Sequence, residues 1–378
     1  MLPLVLVQIC VIALAAQLLG WLFQKIGQPK VCGEMTAGIA LGPSLFGWVA
    51  PHFHASLFPD SSLATLNLLG QLGLILYMFL VGLSLDLGHL REQSRVAVAV
   101  SLASIALPFA SGFALAMALY HGVPLALFIG VAMSVTAFPV LVRILDETKL
   151  TGTRLGSIAT AAAAFGDVVA WLMLAALVAS SAALSTLGWL AVYVVAMLAV
   201  RFLWRSENLA GALIIALASS LATEKIGVHA LFGAFFAGVV IRKSPKFVES
   251  ARRTVEPLTL VLFLPIFFAY TGLRTRIDVS LGRDALLILV VAVAGKWLGA
   301  MFAARWAGME RREANALGIL MNARGLVELV ILSIGLDLGL ITPPIFSMMV
   351  LMALATTLMT APLVRRIYPN LRAQTKPL

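Results

Sequence analysis

The chain has 378 residues, 61% of them hydrophobic and 12% charged, with a mean hydropathy of +1.01 and a pI of about 10.1. Soluble domains carry roughly 25% charged residues, so this composition excludes a soluble enzyme or a nucleic-acid-binding module and defines an all-α polytopic membrane protein. The net charge of +10 then has a topological origin, because Lys and Arg collect in cytoplasmic loops.

A spanning helix needs about 20 mostly apolar residues. Thirteen segments qualify, at roughly 3–23, 32–49, 63–85, 95–120, 124–145, 153–180, 185–204, 207–224, 228–242, 255–273, 284–306, 312–338 and 343–366. The second and ninth are short and rich in Gly and Ala. The first lacks a basic leader and a small-residue cleavage site, so it reads as a mature helix rather than a signal peptide. Cys10 and Cys32 sit in apolar runs and the five His are scattered, which suggests neither a disulfide framework nor a metal site. The tail "YPNLRAQTKPL" is short and polar.

Thirteen spans place the termini on opposite sides. With the C-terminus in the cytoplasm, 21 of the 27 Lys and Arg fall on the inside and four on the outside: Lys225, Arg274, Arg276 and Arg283. Lys296 and Arg324 lie within spans. This positive-inside bias accounts for the basic pI with no nucleic-acid partner. The loop "GLRTRIDVSLGRD" is the one violation.

Charged residues inside spans cost about 2.5–3.5 kcal/mol each at mid-membrane. Asp86, Arg143 and Asp146 lie near segment ends, where snorkelling relieves the cost. Asp167, Lys296, Arg324 and Glu328 do not, and for such residues function is the default reading. The bland alternative is an Asp–Lys pair that only holds helices together.

Two spans are also interrupted. "PLALFIGVAMSVTAFPVLVRIL" carries Pro139, which removes an amide donor, beside hydroxyls at Ser134 and Thr136 that can serve freed backbone groups. "NALGILMNARGLVELVILSIG" is broken by Asn322, Arg324, Gly325 and Glu328. Single prolines at Pro108 and Pro265 read as kinks. With the seventh span as a linker, each broken helix is the fifth of six, and the second six run in the opposite sense. Interrupted segments at matching places in inverted halves point to the binding site of a secondary transporter. Half-helix ends want anions at N-termini and cations at C-termini. Arg324 and Glu328, four residues apart, are placed to compensate such ends, and share a face if the helix continues between them. A proton and a small cation competing for the carboxylate of Asp167 is the simplest exchange chemistry. Thr136, Ser134 and freed carbonyls supply the oxygens a hard cation requires.

The motifs "GEMTAGIALGPSLFG", "SVTAFPVLVRILDE", "AAAAFGDVVAW", "GKWLG" and "NARGLVELVILSIG" closely resemble the second monovalent cation:proton antiporter family, which includes Kef-type and Nap-type exchangers and the plant cation/H+ exchangers. They run from about Gly33 to Gly335. The resemblance implies an Na+/H+ antiporter-like fold of about 13 transmembrane helices, with inverted repeats and two crossed discontinuous helices. It implies a dimerisation domain over 1–92 and 206–283, a transporting core over 93–183 and 284–367, a linker helix over 184–205 and a short tail over 368–378. It further implies a homodimer and elevator-type alternating access. By motif, Asp167 is the ion-binding carboxylate, Thr136 its neighbour in the first broken helix, and Lys296 the core lysine. Arg324 and Glu328, with Asn322, belong to the second broken helix.

One position departs from the family pattern. Relatives carry Asp, Asn or Gln immediately before the ion-binding Asp, and this chain has Gly166. Lys296 therefore lacks that partner: it approaches Asp167 directly, bonds the backbone, or loses its charge through desolvation. Kef-type members also continue into a nucleotide-binding domain, so a cytoplasmic regulatory domain or subunit is an expected partner outside this sequence. The reading is a multi-pass inner-membrane antiporter of K+ or Na+ against H+ at a single buried carboxylate, electroneutral, not an enzyme and with no cofactor. Three alternatives stay open: a sodium-coupled organic-anion symporter, a passive cation channel and a sensor of the same fold.

Overall fold

The computed structural model describes residues 2–84, 94–178, 183–204, 206–241, 244–277 and 282–368. Asp86 and the tail from 369 lie outside them. Among the described residues every regular element is helical. In chain order these are α1 (Leu2–Lys25), α2 (Lys30–Leu41), α3 (Phe46–Val49), α4 (Pro51–Leu57), α5 (Asp60–Ser84) and α6 (Ser94–Tyr120). There follow α7 (Val123–Ser134), α8 (Phe138–Glu147), α9 (Arg154–Val178), α10 (Ala183–Leu203), α11 (Leu209–Ile226) and α12 (Ala230–Ile241). The last six are α13 (Pro245–Leu258), α14 (Leu264–Leu273), α15 (Gly282–Trp306), α16 (Arg311–Leu320), α17 (Leu326–Asp337) and α18 (Pro343–Ile367).

Eight helices among the described residues are long and apolar enough to cross a membrane. Of the other five predicted spans, the seventh is α10, and the remaining four have a physical reason to be shorter. Spans two and nine become the 12-residue helices α2 and α12. Spans five and twelve are each split in two, as α7 with α8 and α16 with α17. The tenth is longer than its apolar stretch. It begins at Pro245, capped by the Ser244 hydroxyl, which accepts the Phe247 amide at 3.1 Å. Its amphipathic first part carries the pairs Arg253–Glu249 (2.7 Å) and Arg252–Glu256 (3.1 Å). Pro257 donates no amide, and a wide π turn at Thr259–Phe263 follows before α14 continues the helix.

The chain forms two compact units. The first comprises Met1–Leu14, Ala50–Asp86 and Trp171–Tyr270. Within it α5 packs on α11, α12 and α13, and α10 on α11 and α12. Its buried polar groups serve one another: Gln8 donates to the Leu57 carbonyl (2.6 Å) and the Ser62 hydroxyl (2.7 Å), and Ser219 donates to the Gly233 carbonyl (2.7 Å).

The second unit comprises Ala15–Val49, Leu87–Ala170 and Thr271–Leu378. Here α6 packs on α7 and α15, α15 on α16 and α18, and α17 on α7 and α18. The α6–α15 approach is backbone-close. A Cβ on Gly299 would lie 2.6 Å from the Ala103 carbonyl oxygen, and one on Gly295 would lie 3.1 Å from Pro108 Cα. Only residues without a side chain let two helices touch in this way, and that contact brings Lys296, next in sequence to Gly295, among the broken helices.

Candidate functional site

The two breaks meet. Val135, Thr136 and Ala137 leave the helical path between α7 and α8, and Met321 to Gly325 do so between α16 and α17. The Ala137 amide donates to the Ala323 carbonyl at 3.0 Å, joining one break to the other. Gly325 turns the second break with φ 150°, a region closed to other residues, and Pro139 falls in the first turn of α8, where its missing amide costs nothing. All of these residues belong to the second unit.

Four half-helix ends thus lie inside the protein, each with orphan backbone groups. Cations serve the C-terminal end of α7. Arg324 donates to the carbonyls of Ala132 (3.3 Å) and Met133 (2.7 Å), and Lys296 Nζ donates to the carbonyl of Ser134 and to Thr136 Oγ1 (2.6 Å). Carboxylates serve the N-terminal ends. Glu328 sits in the first turn of α17, and Asp167 of α9 faces the backbone amide of Phe138, the first residue of α8. This matches the sign of the helix dipole at each end.

Asp167, Lys296, Arg324 and Glu328 are all buried, none more than 3% exposed. Glu328 Oε1 accepts from Arg324 at 3.1 Å. The pair forms although the helix does not continue between the two residues: Arg324 lies in the break and Glu328 in the helix after it. The hydrogen bonds of Lys296 go to neutral oxygens, so of the three options opened by Gly166, backbone bonding is the one seen. Asp167 Oδ1 is buried with no hydrogen-bond partner, as are Asn322 Oδ1 and Glu328 Oε2.

The remaining candidates are placed as follows. Thr136 Oγ1 accepts a hydrogen bond from Lys296 and donates one to the Met321 carbonyl at 3.4 Å. The Ser134 hydroxyl bonds back to Val131 at 2.7 Å, and the carbonyl of Ser134 rather than its hydroxyl meets Lys296. Asn322 donates to the Gly318 carbonyl at 3.2 Å. Arg143, read as a snorkelling end residue, pairs with the buried Glu34 at 3.3 Å, and Asp146 accepts from Thr151 at 2.5 Å. Sequence reasoning missed Thr357. Its hydroxyl accepts the Arg324 amide (3.0 Å) and touches the Arg324 carbonyl (2.7 Å), tying the second break to α18. A threonine in a span gives no signal of that kind.

Two broken helices joined at their breaks, with buried charges of both signs on their ends, define an ion-transporting membrane protein built for a small ion. The pattern of the transmembrane sodium/hydrogen exchangers matches residues 11–366, and the chain belongs to that family. It is 40% identical to the Na(+)/H(+) antiporter NhaS4 of Synechocystis over 97% of both chains. It is 40% identical to Cation/H(+) antiporter 17 of Arabidopsis thaliana over 99% of its own length, and spans about half, 50%, of that relative. The K(+)/H(+) antiporter 1 of Saccharomyces cerevisiae is 35% identical over 98% of the chain, which covers 47% of it. The solved structure of the sodium proton antiporter MjNhaP1 from Methanocaldococcus jannaschii shares the fold with a TM-score of 0.72 over 100% of both chains at 13% identity. The protein is an integral, multi-pass membrane antiporter of this family.

Proposed function

We propose that the protein exchanges a monovalent cation, K+ or Na+, for H+ at the single carboxylate of Asp167. One observation carries this reading: Asp167 is buried beside the break of α7 and α8, and its Oδ1 has no protein partner. A carboxylate oxygen so placed binds either a proton or a cation, and the two compete. The Phe138 amide faces the group. Lys296, Arg324 and Glu328 hold the half-helix ends.

Lys296 keeps its bonds to Ser134 and Thr136 through the cycle. One cation then exchanges for one proton, and the exchange is electroneutral. We further propose a homodimer, elevator-type alternating access by the core domain, and residence in a bacterial inner membrane with the N-terminus outside and the C-terminus cytoplasmic. The positive-inside bias supports this orientation. A multi-sodium symporter is less well supported, since Asp167 is the one buried aspartate among the described residues with an unpartnered oxygen.

The test is reconstitution into liposomes with an internal pH dye, adding K+, Na+ or Li+ with the voltage clamped and then free. Cation-driven pH change is expected in the wild type and absent in Asp167→Asn. Exchange that survives Asp167→Asn overturns the mechanism, and a rate that follows voltage overturns electroneutrality.

A further inference from the structure

The α6–α15 pair carries a second feature, unrelated to the ion site. Along it runs an open cavity of about 810 Å³, lined by Val98, Ala99, Leu102, Ala106 and Ala303, with Arg95 and Trp306 at one end. The two helices are antiparallel, since Gly299 meets Ala103 while Gly295 meets Pro108. Arg95 in the first turn of α6 and Trp306 at the last position of α15 therefore mark the same end.

Between Val98 and Ala106 the lining is apolar and floored by alanines, an open groove that suits an aliphatic chain. From Arg95 to Ala106 it runs about 17 Å at 1.5 Å per residue, roughly one leaflet of a hydrocarbon core about 30 Å thick. Trp306 is 87% exposed, the usual condition of an indole at a membrane–water interface. Arg95 is exposed at the same level and forms no ion pair or hydrogen bond among the described residues.

We infer that this groove binds an anionic phospholipid, with one acyl chain along Ala99, Leu102 and Ala106 and the phosphate on Arg95. The charge selects the headgroup and the groove selects a chain-bearing ligand. In the orientation proposed above, this end faces the cytoplasmic leaflet, whose surface is negative. Lipid here would lie against the helix that carries Lys296, close to the Gly299–Ala103 contact.

Native mass spectrometry tests the inference on the full chain, purified and exchanged into defined mixtures of phosphatidylglycerol and phosphatidylcholine. Retention of phosphatidylglycerol over phosphatidylcholine is expected. Arg95→Gln should reduce that preference about fivefold, the worth of one basic residue at a membrane surface, while Arg95→Lys keeps most of it. Ala99→Phe, which fills the groove and keeps the charge, should lower retention of both lipids. Inorganic phosphate at millimolar concentration should not displace the lipid, which separates a lipid site from a free-phosphate site. Equal retention of the two lipids, full selectivity in Arg95→Gln with unchanged thermal stability, or displacement by phosphate would each overturn it.

Discussion

Lys296 donates to the main-chain carbonyl of Ser134, the last residue of half-helix α7, and to Thr136 Oγ1 two residues on. A lysine in an oily core is thereby a cap for a helix end. Its ammonium completes what an unbroken helix would have supplied with amides.

Lys296→Met should therefore destabilise the protein by about 1–3 kcal/mol, the cost of leaving buried acceptors unsatisfied. Lys296→Gln, which keeps a donor, should lose less. Thermal unfolding in detergent, followed by tryptophan fluorescence, measures the order. Equal stability of all three proteins would show that the cap carries no energy.

Arg324 and Glu328 form a fully buried pair. Removing one partner strands a charge and costs about 3–5 kcal/mol, whereas replacing both with apolar residues of similar volume costs far less. Glu328→Gln should be milder than Arg324→Met, because Arg324 also serves the Ala132 and Met133 carbonyls. A double-mutant cycle read by melting temperature should show strong coupling between the two positions, and additive effects would contradict the pairing.

Thr357→Val removes the hydroxyl that accepts the Arg324 amide and should cost about 1–3 kcal/mol. Thr357→Ser should restore most of it. If valine and serine melt alike, the tether is not holding the break.

Glycine substitutions should divide by the space around them. A Cβ at Gly166 would meet Ser101 Oγ at 3.4 Å, ordinary contact, so Gly166→Ala and Gly166→Asp should fold. A Cβ at Gly335 would lie 2.1 Å from Phe128 Cζ, and Gly335→Ala should lower stability by about 1–3 kcal/mol through overpacking. Size-exclusion profiles with melting curves decide this. In Gly166→Asp, a transport rate that becomes voltage-dependent would show that an added carboxylate draws Lys296 away from the helix end.

Both breaks were legible in the sequence because their causes are local: Pro139 removes a donor, and Asn322, Arg324 and Gly325 interrupt an apolar run. Asp167, Lys296, Arg324 and Glu328 stood out because each violates the membrane rule. The partners of these charges were not legible. Ala132, Met133 and Ser134 contribute main-chain oxygens, which every residue has, and Thr357 acts across 33 residues. The helical start at Pro245 was hidden because a polar amphipathic turn and Pro257 look like loop.

The Ala137–Ala323 bond has a mechanical consequence. It is one main-chain link between two breaks, and Arg324, Lys296 and Thr357 fasten α7, α15 and α18 to the same spot. The C-terminal end of α7 thus leans on side chains from α15 and from the second break. A swing of one half-helix alone would strand buried carbonyls or a bare charge. The knot around Asp167 is stiff under local bending and can be displaced cheaply only when all of its helices travel together.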